Sequence, residues 1–129
     1  MELLRRGAAR LGYQLSPQQL KLFGIYYEVL TYWRGKLNLT AITDFEDVQV
    51  KHFLDSLSVA AAFNGVRKDG RLLDVGTGAG FPGIPLKILF PGLQLSLLES
   101  VAKKTHFLDH LTSHLGLKGV EIVTGRAED

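Results

Sequence analysis

A chain of 129 residues with a formal net charge of +2 and 46% apolar residues has the composition of a globular protein with one domain or two small ones. It contains no cysteine, which excludes a disulfide framework and a thiolate metal site and suits the reducing cytoplasm. No apolar run approaches the length of a membrane span, and Met1–Arg6 has no signal-peptide core. The basic excess is small, so charge alone neither demands nor excludes a nucleic acid partner.

Helical patterns fill the first half, which we predict to be a helical N-terminal segment over residues 1–65. The expected helices cover residues 2–11, 17–33 and about 45–62. Gly12 ends the first as a C′ glycine, Ser16 caps the second, and Asp44 caps the third.

Two helix faces in this segment are predicted to be buried. In the second helix the face consists of Leu20, Phe23, Tyr27 and Leu30. In the third it consists of Val50, Phe53, Leu54, Leu57 and Ala61. On another face of the third helix, the spacing brings together His52, Asp55 and Ser56.

Strand and helix patterns alternate over residues 66–129, which predicts the first half of an α/β domain with a parallel sheet. Apolar runs predict strands over residues 72–75, 93–98 and 120–124. Helices are expected over residues 84–90 and 101–115, with Pro82 and Pro85 in the first turn of the earlier one.

A glycine-rich turn follows the first strand, with glycines at 76, 78, 80 and 83. The dinucleotide pattern G-x-G-x-x-G occurs at Gly78–Gly83, but it begins two residues too late after the strand. Measured from the strand end, the pattern is Asp74-x-Gly76-x-Gly78-x-Gly80, which resembles the first motif of Rossmann-like (class I) S-adenosylmethionine methyltransferases. Asp74 would favour the α-ammonium of that cofactor. Because it has no pyrophosphate, the third glycine of the dinucleotide pattern is not required.

Glu99 stands at the end of the second strand, about 20 residues after the glycine turn. An acidic residue there hydrogen-bonds the ribose hydroxyls of a bound nucleotide. The alternative interpretation is a solvated glutamate at a strand end.

Three histidines, His106, His110 and His114, recur at helical spacing. No carboxylate or cysteine accompanies them at ligand spacing, so we interpret the row as a solvated helix face and not as a metal site.

Several longer motifs together resemble one family, the bacterial 16S ribosomal RNA guanine-N7 methyltransferases, also called the glucose-inhibited division protein B family. The motifs that carry the resemblance are Trp33-Arg-Gly-Lys-Leu-Asn-Leu-Thr40, His52-Phe-Leu-Asp-Ser56, Leu73-Asp-Val-Gly-Thr-Gly-Ala-Gly-Phe-Pro-Gly-Ile-Pro85, Leu98-Glu-Ser100 with Lys103-Lys104, and Gly125-Arg-Ala-Glu128. One departure is Arg34, where the family usually has Asn.

The resemblance implies an α/β, Rossmann-like class I methyltransferase fold and S-adenosylmethionine as cofactor. Together with the glycine turn it gives a predicted cofactor-binding set of Gly76, Gly78, Phe81, Glu99, Ala127 and Glu128. Ala127 and Glu128 would lie beside the adenine. For Phe81, packing beneath the helix is an alternative. His52, Asp55 and Ser56 either face the site or form a polar helix face.

No catalytic base is nominated, because guanine N7 has a free lone pair and carries no proton. No metal ligand is nominated either. The implied substrate is 16S rRNA in the small ribosomal subunit, and the implied location is the cytoplasm. We expect residues 1–129 to be an N-terminal portion of a longer enzyme, because a doubly wound sheet continues beyond three strands. We expect this portion to be inactive in isolation and the full-length enzyme to be a monomer. Two other functions remain open: an NAD-type oxidoreductase and a non-catalytic RNA-binding module.

Overall fold

The computed structural model describes residues 1–37, 44–62 and 68–126. Within these residues the elements are α1 (Glu2–Arg10), α2 (Pro17–Arg34), α3 (Phe45–Asp47), a π-helix (Val48–Leu54), α4 (Asp55–Ala62), β1 (Arg71–Val75), α5 (Gly83–Leu89), β2 (Gln94–Glu99), α6 (Ala102–Leu115) and β3 (Val120–Thr124).

The start of α2 is fixed by a capping box that also docks the helix onto α5. The Ser16 hydroxyl accepts a hydrogen bond from the backbone N–H of Gln19 at 3.1 Å, and the Gln19 side-chain oxygen accepts one from the Ser16 N–H at 2.8 Å. The Gln19 side-chain nitrogen then donates to the carbonyls of Ile88 and Leu89, at 3.1 and 3.2 Å. One side chain therefore caps the beginning of α2 and the end of α5.

The predicted third helix is confirmed in extent, since α3, the π-helix and α4 follow one another from Phe45 to Ala62 and the Asp44 carboxylate caps them. The π-helix was not predicted. Its hydrogen bonds span five residues where an α-helix spans four, so it changes which side chains point inward. The expected buried face is therefore wrong at Val50, which is exposed, and right at Phe53. In α4 it is right at Leu57 and wrong at Ala61, which is exposed near the end of that helix.

The three strands form one parallel sheet in the order β1-β2-β3. Asp74 pairs with Leu97, and Leu97 pairs with Ile122, so the three carboxyl ends lie along one edge of the sheet. The crossover helices α5 and α6 pack on the same face. The predicted strands and the α/β, Rossmann-like class are confirmed.

The N-terminal helices pack on α5 and α6 and share one apolar core with them. Its fully buried members come from both predicted segments and include Phe23, Tyr26, Phe53, Ile84, Leu97 and Phe107. Each such side chain contributes about 1.5–3 kcal/mol by its burial. The predicted boundary between residues 65 and 66 lies outside the described residues, so the division into two domains stays a prediction.

The opposite face of the sheet carries apolar side chains that remain exposed. Leu73 and Val75 of β1 and Val123 of β3 are 61%, 53% and 41% accessible. Parallel sheets are normally covered by helices on both faces. Within the described residues only one face has this cover, which makes the sheet one-sided.

We expect Gln19→Glu to lower the free energy of unfolding by about 1–2 kcal/mol, measured by urea denaturation. A glutamate preserves the capping box, but it cannot donate to the two carbonyls and it places a negative charge at the end of α5. Gln18→Glu is the matched control, because Gln18 is exposed on the same first turn of α2. Equal losses in the two variants would contradict the role of the α5 carbonyls.

Candidate cofactor site

The glycine turn leaves β1 with its backbone in conformations that suit glycine. Gly76, Gly78 and Gly80 have φ of +68°, +59° and +98°. The Gly76 N–H donates to the carbonyl of Leu98 at 2.8 Å, which holds the turn against the end of β2. Among the described residues, a Cβ built on Gly76 or Gly78 meets no atom within 4 Å beyond its chain neighbours. The space over these two glycines is therefore open to a ligand.

Asp74 lies beneath the turn, on the helix-covered face of the sheet, and is 8% accessible. One of its carboxylate oxygens accepts a hydrogen bond from the Thr77 hydroxyl at 2.7 Å and another from the Gly83 N–H at 3.0 Å. Burial raises the pKa of Asp74, and these two hydrogen bonds oppose the increase. Asp74 thus stabilises the turn through these two hydrogen bonds. Its contact with an α-ammonium stays a prediction.

Gly83, the third glycine of the dinucleotide-like pattern, is required by packing. A Cβ there would lie 2.9 Å from the Asp74 carboxylate and 2.9 Å from a methyl carbon of Leu97. We expected no need for this glycine in the absence of a pyrophosphate. It is needed because α5 approaches the sheet closely, so the pattern does not by itself indicate a dinucleotide.

Glu99 meets the glycine turn directly, as its position after β2 predicted. One carboxylate oxygen accepts a hydrogen bond from the Gly78 N–H at 3.0 Å, and the other accepts one from the Val101 N–H at 2.9 Å. Each oxygen retains a lone pair for a further donor. The side chain is 6% accessible, so this is not the solvated glutamate of the alternative interpretation.

The end of β3 reaches the same edge, where the Gly125 N–H donates to the Glu99 carbonyl at 2.9 Å. The structure therefore brings Asp74, the glycine turn and Glu99 together. Ala127 and Glu128 lie outside the described residues, and their placement beside an adenine stays a prediction.

Phe81 belongs to an aromatic cluster between the turn and the N-terminal helices. Its ring is stacked on Tyr26, with centroids 5.4 Å apart and planes at 14°, and on His52, at 4.5 Å and 8°. Phe53 packs against the same group, 5.0 Å from Tyr26. Phe81 is half-buried. These contacts match the packing interpretation, and a contact between Phe81 and a cofactor stays a prediction.

His52, Asp55 and Ser56 do not share one face, contrary to our expectation. His52 reaches the turn through Phe81, whereas Asp55 is exposed. Ser56 is buried, and its hydroxyl donates to the His52 carbonyl at 2.7 Å. His52 lies in the π-helix, where the α-helical spacing does not apply, and the adjacent Asp55 and Ser56 point to different sides of α4.

Tyr26 is the residue at this site that the sequence did not indicate. It is fully buried, and its hydroxyl donates to the Ala79 carbonyl at 2.6 Å. The predicted face of α2 included Tyr27, which is half-buried. The spacing from Phe23 to Tyr26 to Leu30 is equally helical, so periodicity alone did not discriminate between two adjacent tyrosines.

The histidine row on α6 is exposed, as expected of a solvated helix face, and the rings of His110 and His114 lie 4.2 Å apart. In the part of the chain that the structure describes, no three His, Cys, Asp or Glu side chains are grouped so as to hold a metal ion.

Comparison with known proteins agrees with this geometry. Residues 19–129 match the GidB family, described as rRNA small subunit methyltransferase G. The chain belongs to this family.

Relatives named ribosomal RNA small subunit methyltransferase G cover the whole chain or nearly so. The protein of Dehalococcoides mccartyi is 54% identical over 100% of this chain and 54% of its own length. That of Caldanaerobacter subterraneus is 49% identical over 100% of this chain and 54% of its own length. That of Alkaliphilus metalliredigens is 47% identical over 98% of this chain and 53% of its own length. The chain thus spans about half the length of these curated relatives. Membership of a methyltransferase family does not support the NAD-type alternative.

We expect Asp74→Ala to lower the free energy of unfolding by about 2 kcal/mol, because it leaves the Gly83 N–H and the Thr77 hydroxyl without their partner. Asp74→Asn should cost less, since its side-chain oxygen can accept both hydrogen bonds and no charge is buried. Urea denaturation of the two variants makes the comparison. Equal destabilisation would show that the charge, and not the accepted hydrogen bonds, holds the turn.

Burial lowers the pKa of His52 below its usual 6.5, and the charge of Asp55 opposes this only in part. The folded state therefore binds this proton less readily than the unfolded state. The contribution of neutral His52 to the free energy of unfolding is complete above about pH 6.5 and is lost as the pH falls. Urea denaturation at several pH values should show this loss, and His52→Gln should reduce it. His106→Gln, at an exposed position of α6, is the control and should leave the loss unchanged.

Proposed function

We propose that the complete protein transfers a methyl group from S-adenosylmethionine to guanine N7 in 16S rRNA of the small ribosomal subunit. Two findings support the proposal: membership of the GidB family and the shared name of the relatives. The observation that carries it is the contact between the Glu99 carboxylate and the Gly78 N–H at 3.0 Å, beside the open space over Gly76 and Gly78.

The residues present fit this cofactor. A carboxylate with a free lone pair on each oxygen is suited to the two ribose hydroxyls, and Glu99 has that character at the tip of β2. Gly76 and Gly78 let the ligand approach the backbone closely, because neither carries a Cβ. Phe81, Ala127 and Glu128 complete the proposed cofactor-binding set. When bound, the cofactor supplies a methyl group activated by its sulfonium.

Guanine N7 needs no general base, because its lone pair is free and no proton leaves it. The protein has to hold N7, the methyl carbon and the sulfur in line, and to exclude competing geometries. It also has to accommodate positive charge as it moves from the sulfonium to the purine. This chemistry explains why we assign the site a binding role and no acid–base residue.

The substrate and the location are also part of the proposal. The RNA would be that of the small subunit, which the relatives' name specifies. In residues 1–37, 44–62 and 68–126 no helix is long and apolar enough to cross a membrane. From the names of the relatives, we propose that the enzyme acts on ribosomal RNA in the cytoplasm, and that it acts as a monomer. We further propose that residues 1–129 alone are inactive, because the relatives are about twice as long.

Glu99→Gln should weaken S-adenosylmethionine binding about 10- to 100-fold, measured by isothermal titration calorimetry on the complete protein. The amide loses the charge and turns a donor toward either Gly78 N–H or Val101 N–H. Glu121→Gln, on β3 away from the carboxyl ends of the strands, is the matched control and should bind normally. Unchanged affinity in Glu99→Gln would remove the ribose role.

The activity itself is tested with small ribosomal subunits and tritiated S-adenosylmethionine. We expect label in 16S rRNA and strand cleavage at the labelled guanine after borohydride and aniline, which is diagnostic of methylation at N7. Tight NAD binding without S-adenosylmethionine binding, or RNA binding without methyl transfer, would contradict the proposal.

A further inference from the structure

The hydroxyl of Tyr26 joins the N-terminal helices to the glycine turn. It donates to the Ala79 carbonyl at 2.6 Å, and both residues are buried, Tyr26 fully and Ala79 to 3% accessibility. Burial and the nearby charge of Asp74 raise the pKa of Tyr26 well above its usual value. The hydroxyl therefore stays protonated and remains a donor over the whole physiological range.

The turn is also pressed against this hydroxyl. A Cβ built on Gly80 would lie 2.7 Å from the Tyr26 oxygen and 2.8 Å from a methyl carbon of Ile84. Gly80 has φ of +98°, which disfavours any other residue as well. Tyr26 thus limits both the direction of the Ala79 carbonyl and the path of the next residue.

These limits act next to the proposed cofactor contacts. Gly78, whose N–H points at Glu99, immediately precedes Ala79. Phe81, which stacks on the Tyr26 ring, follows Gly80. Asp74 holds the turn from the side of the sheet, through Thr77 and Gly83. The Tyr26 hydroxyl holds the carbonyl of the Ala79–Gly80 peptide from the side of the N-terminal helices, whereas the N–H of that peptide donates to the Thr77 carbonyl at 3.0 Å within the turn.

We propose that Tyr26 is a positioning residue of the cofactor site, whose hydroxyl orients the Ala79 carbonyl and thereby directs the Gly78 N–H toward Glu99. The inference rests on the proposed function, since it assigns this turn to S-adenosylmethionine. Through Tyr26, the helical N-terminal segment would then contribute to cofactor binding. A purely structural tyrosine would stabilise the core and leave cofactor affinity unchanged.

The test is Tyr26→Phe in the complete protein, which keeps the ring and removes only the hydroxyl. Leaving the buried Ala79 carbonyl unpaired should let the turn relax. We expect the Kd for S-adenosylmethionine by calorimetry and its KM in methylation of small ribosomal subunits to rise about 5- to 10-fold. The KM for the subunits should stay constant, because the contact is with the turn alone.

Two control variants separate positioning from stability. Tyr13→Phe makes the same chemical change on a ring that packs edge-on to Phe90, 6.0 Å away, and should change neither constant. Phe23→Leu reduces the same core from α2, where Phe23 packs on Phe53, and should lower the unfolding midpoint with the cofactor KM unchanged. All assays are run well below the lowest midpoint, so that each variant is folded.

Three outcomes overturn the inference. The first is a folded Tyr26→Phe with wild-type cofactor affinity. The second is a loss confined to kcat, as a smaller active fraction would produce. The third is an equal rise in cofactor KM for Phe23→Leu and Tyr26→Phe, which would assign the effect to general destabilisation. Wild-type protein that does not bind S-adenosylmethionine would contradict the proposed function itself, whereas binding that is insensitive to Tyr26→Phe contradicts only this inference.

Discussion

The buried carboxylate of Asp74 is the constraint on which the rest of the site depends. It stands at the end of β1, where the chain must turn sharply, and it accepts hydrogen bonds from both sides of that turn, at Thr77 and at Gly83. A buried carboxylate is costly unless it is satisfied in this way. Because Gly83 begins α5, the same group also sets how closely that helix approaches the sheet. The exposed backbone of Gly76 and Gly78 therefore depends on the hydrogen bonds that Asp74 makes on the other side of the turn.

The site is built by two parts of the chain that the sequence presents as separate. The α/β part contributes the turn and Glu99, which meet because parallel strands end along one edge. The helical part contributes Tyr26 and His52, which contact the turn from the other side. A core common to both parts makes this possible, since it holds α2 and α4 against α5. A movement of the N-terminal helices would therefore reach the glycine turn through direct contacts.

Local signals in the sequence were sufficient wherever one residue decides the outcome. Ser16 and Asp44 predicted two helix starts, because a side-chain cap needs only its own neighbours. The failures came where the spacing was assumed to be α-helical or was ambiguous. In the π-helix the assumption misplaced Val50 and wrongly grouped His52 with Asp55 and Ser56. On α2 the period allowed either tyrosine to face inward, and only packing against the turn selected Tyr26.

The sequence by itself determined the strand, turn and acid pattern from Asp74 to Glu99, because parallel pairing leaves little freedom in where such residues converge. It also carried the motifs of the family to which the chain belongs. Only the tertiary structure decided what each group does within the site. Hydrogen bonds between residues more than 50 positions apart, such as that from Tyr26 to Ala79, have no local signature. The position of Asp74 beneath the turn, and the need for Gly83, likewise follow from how closely α5 packs on β1 and β2.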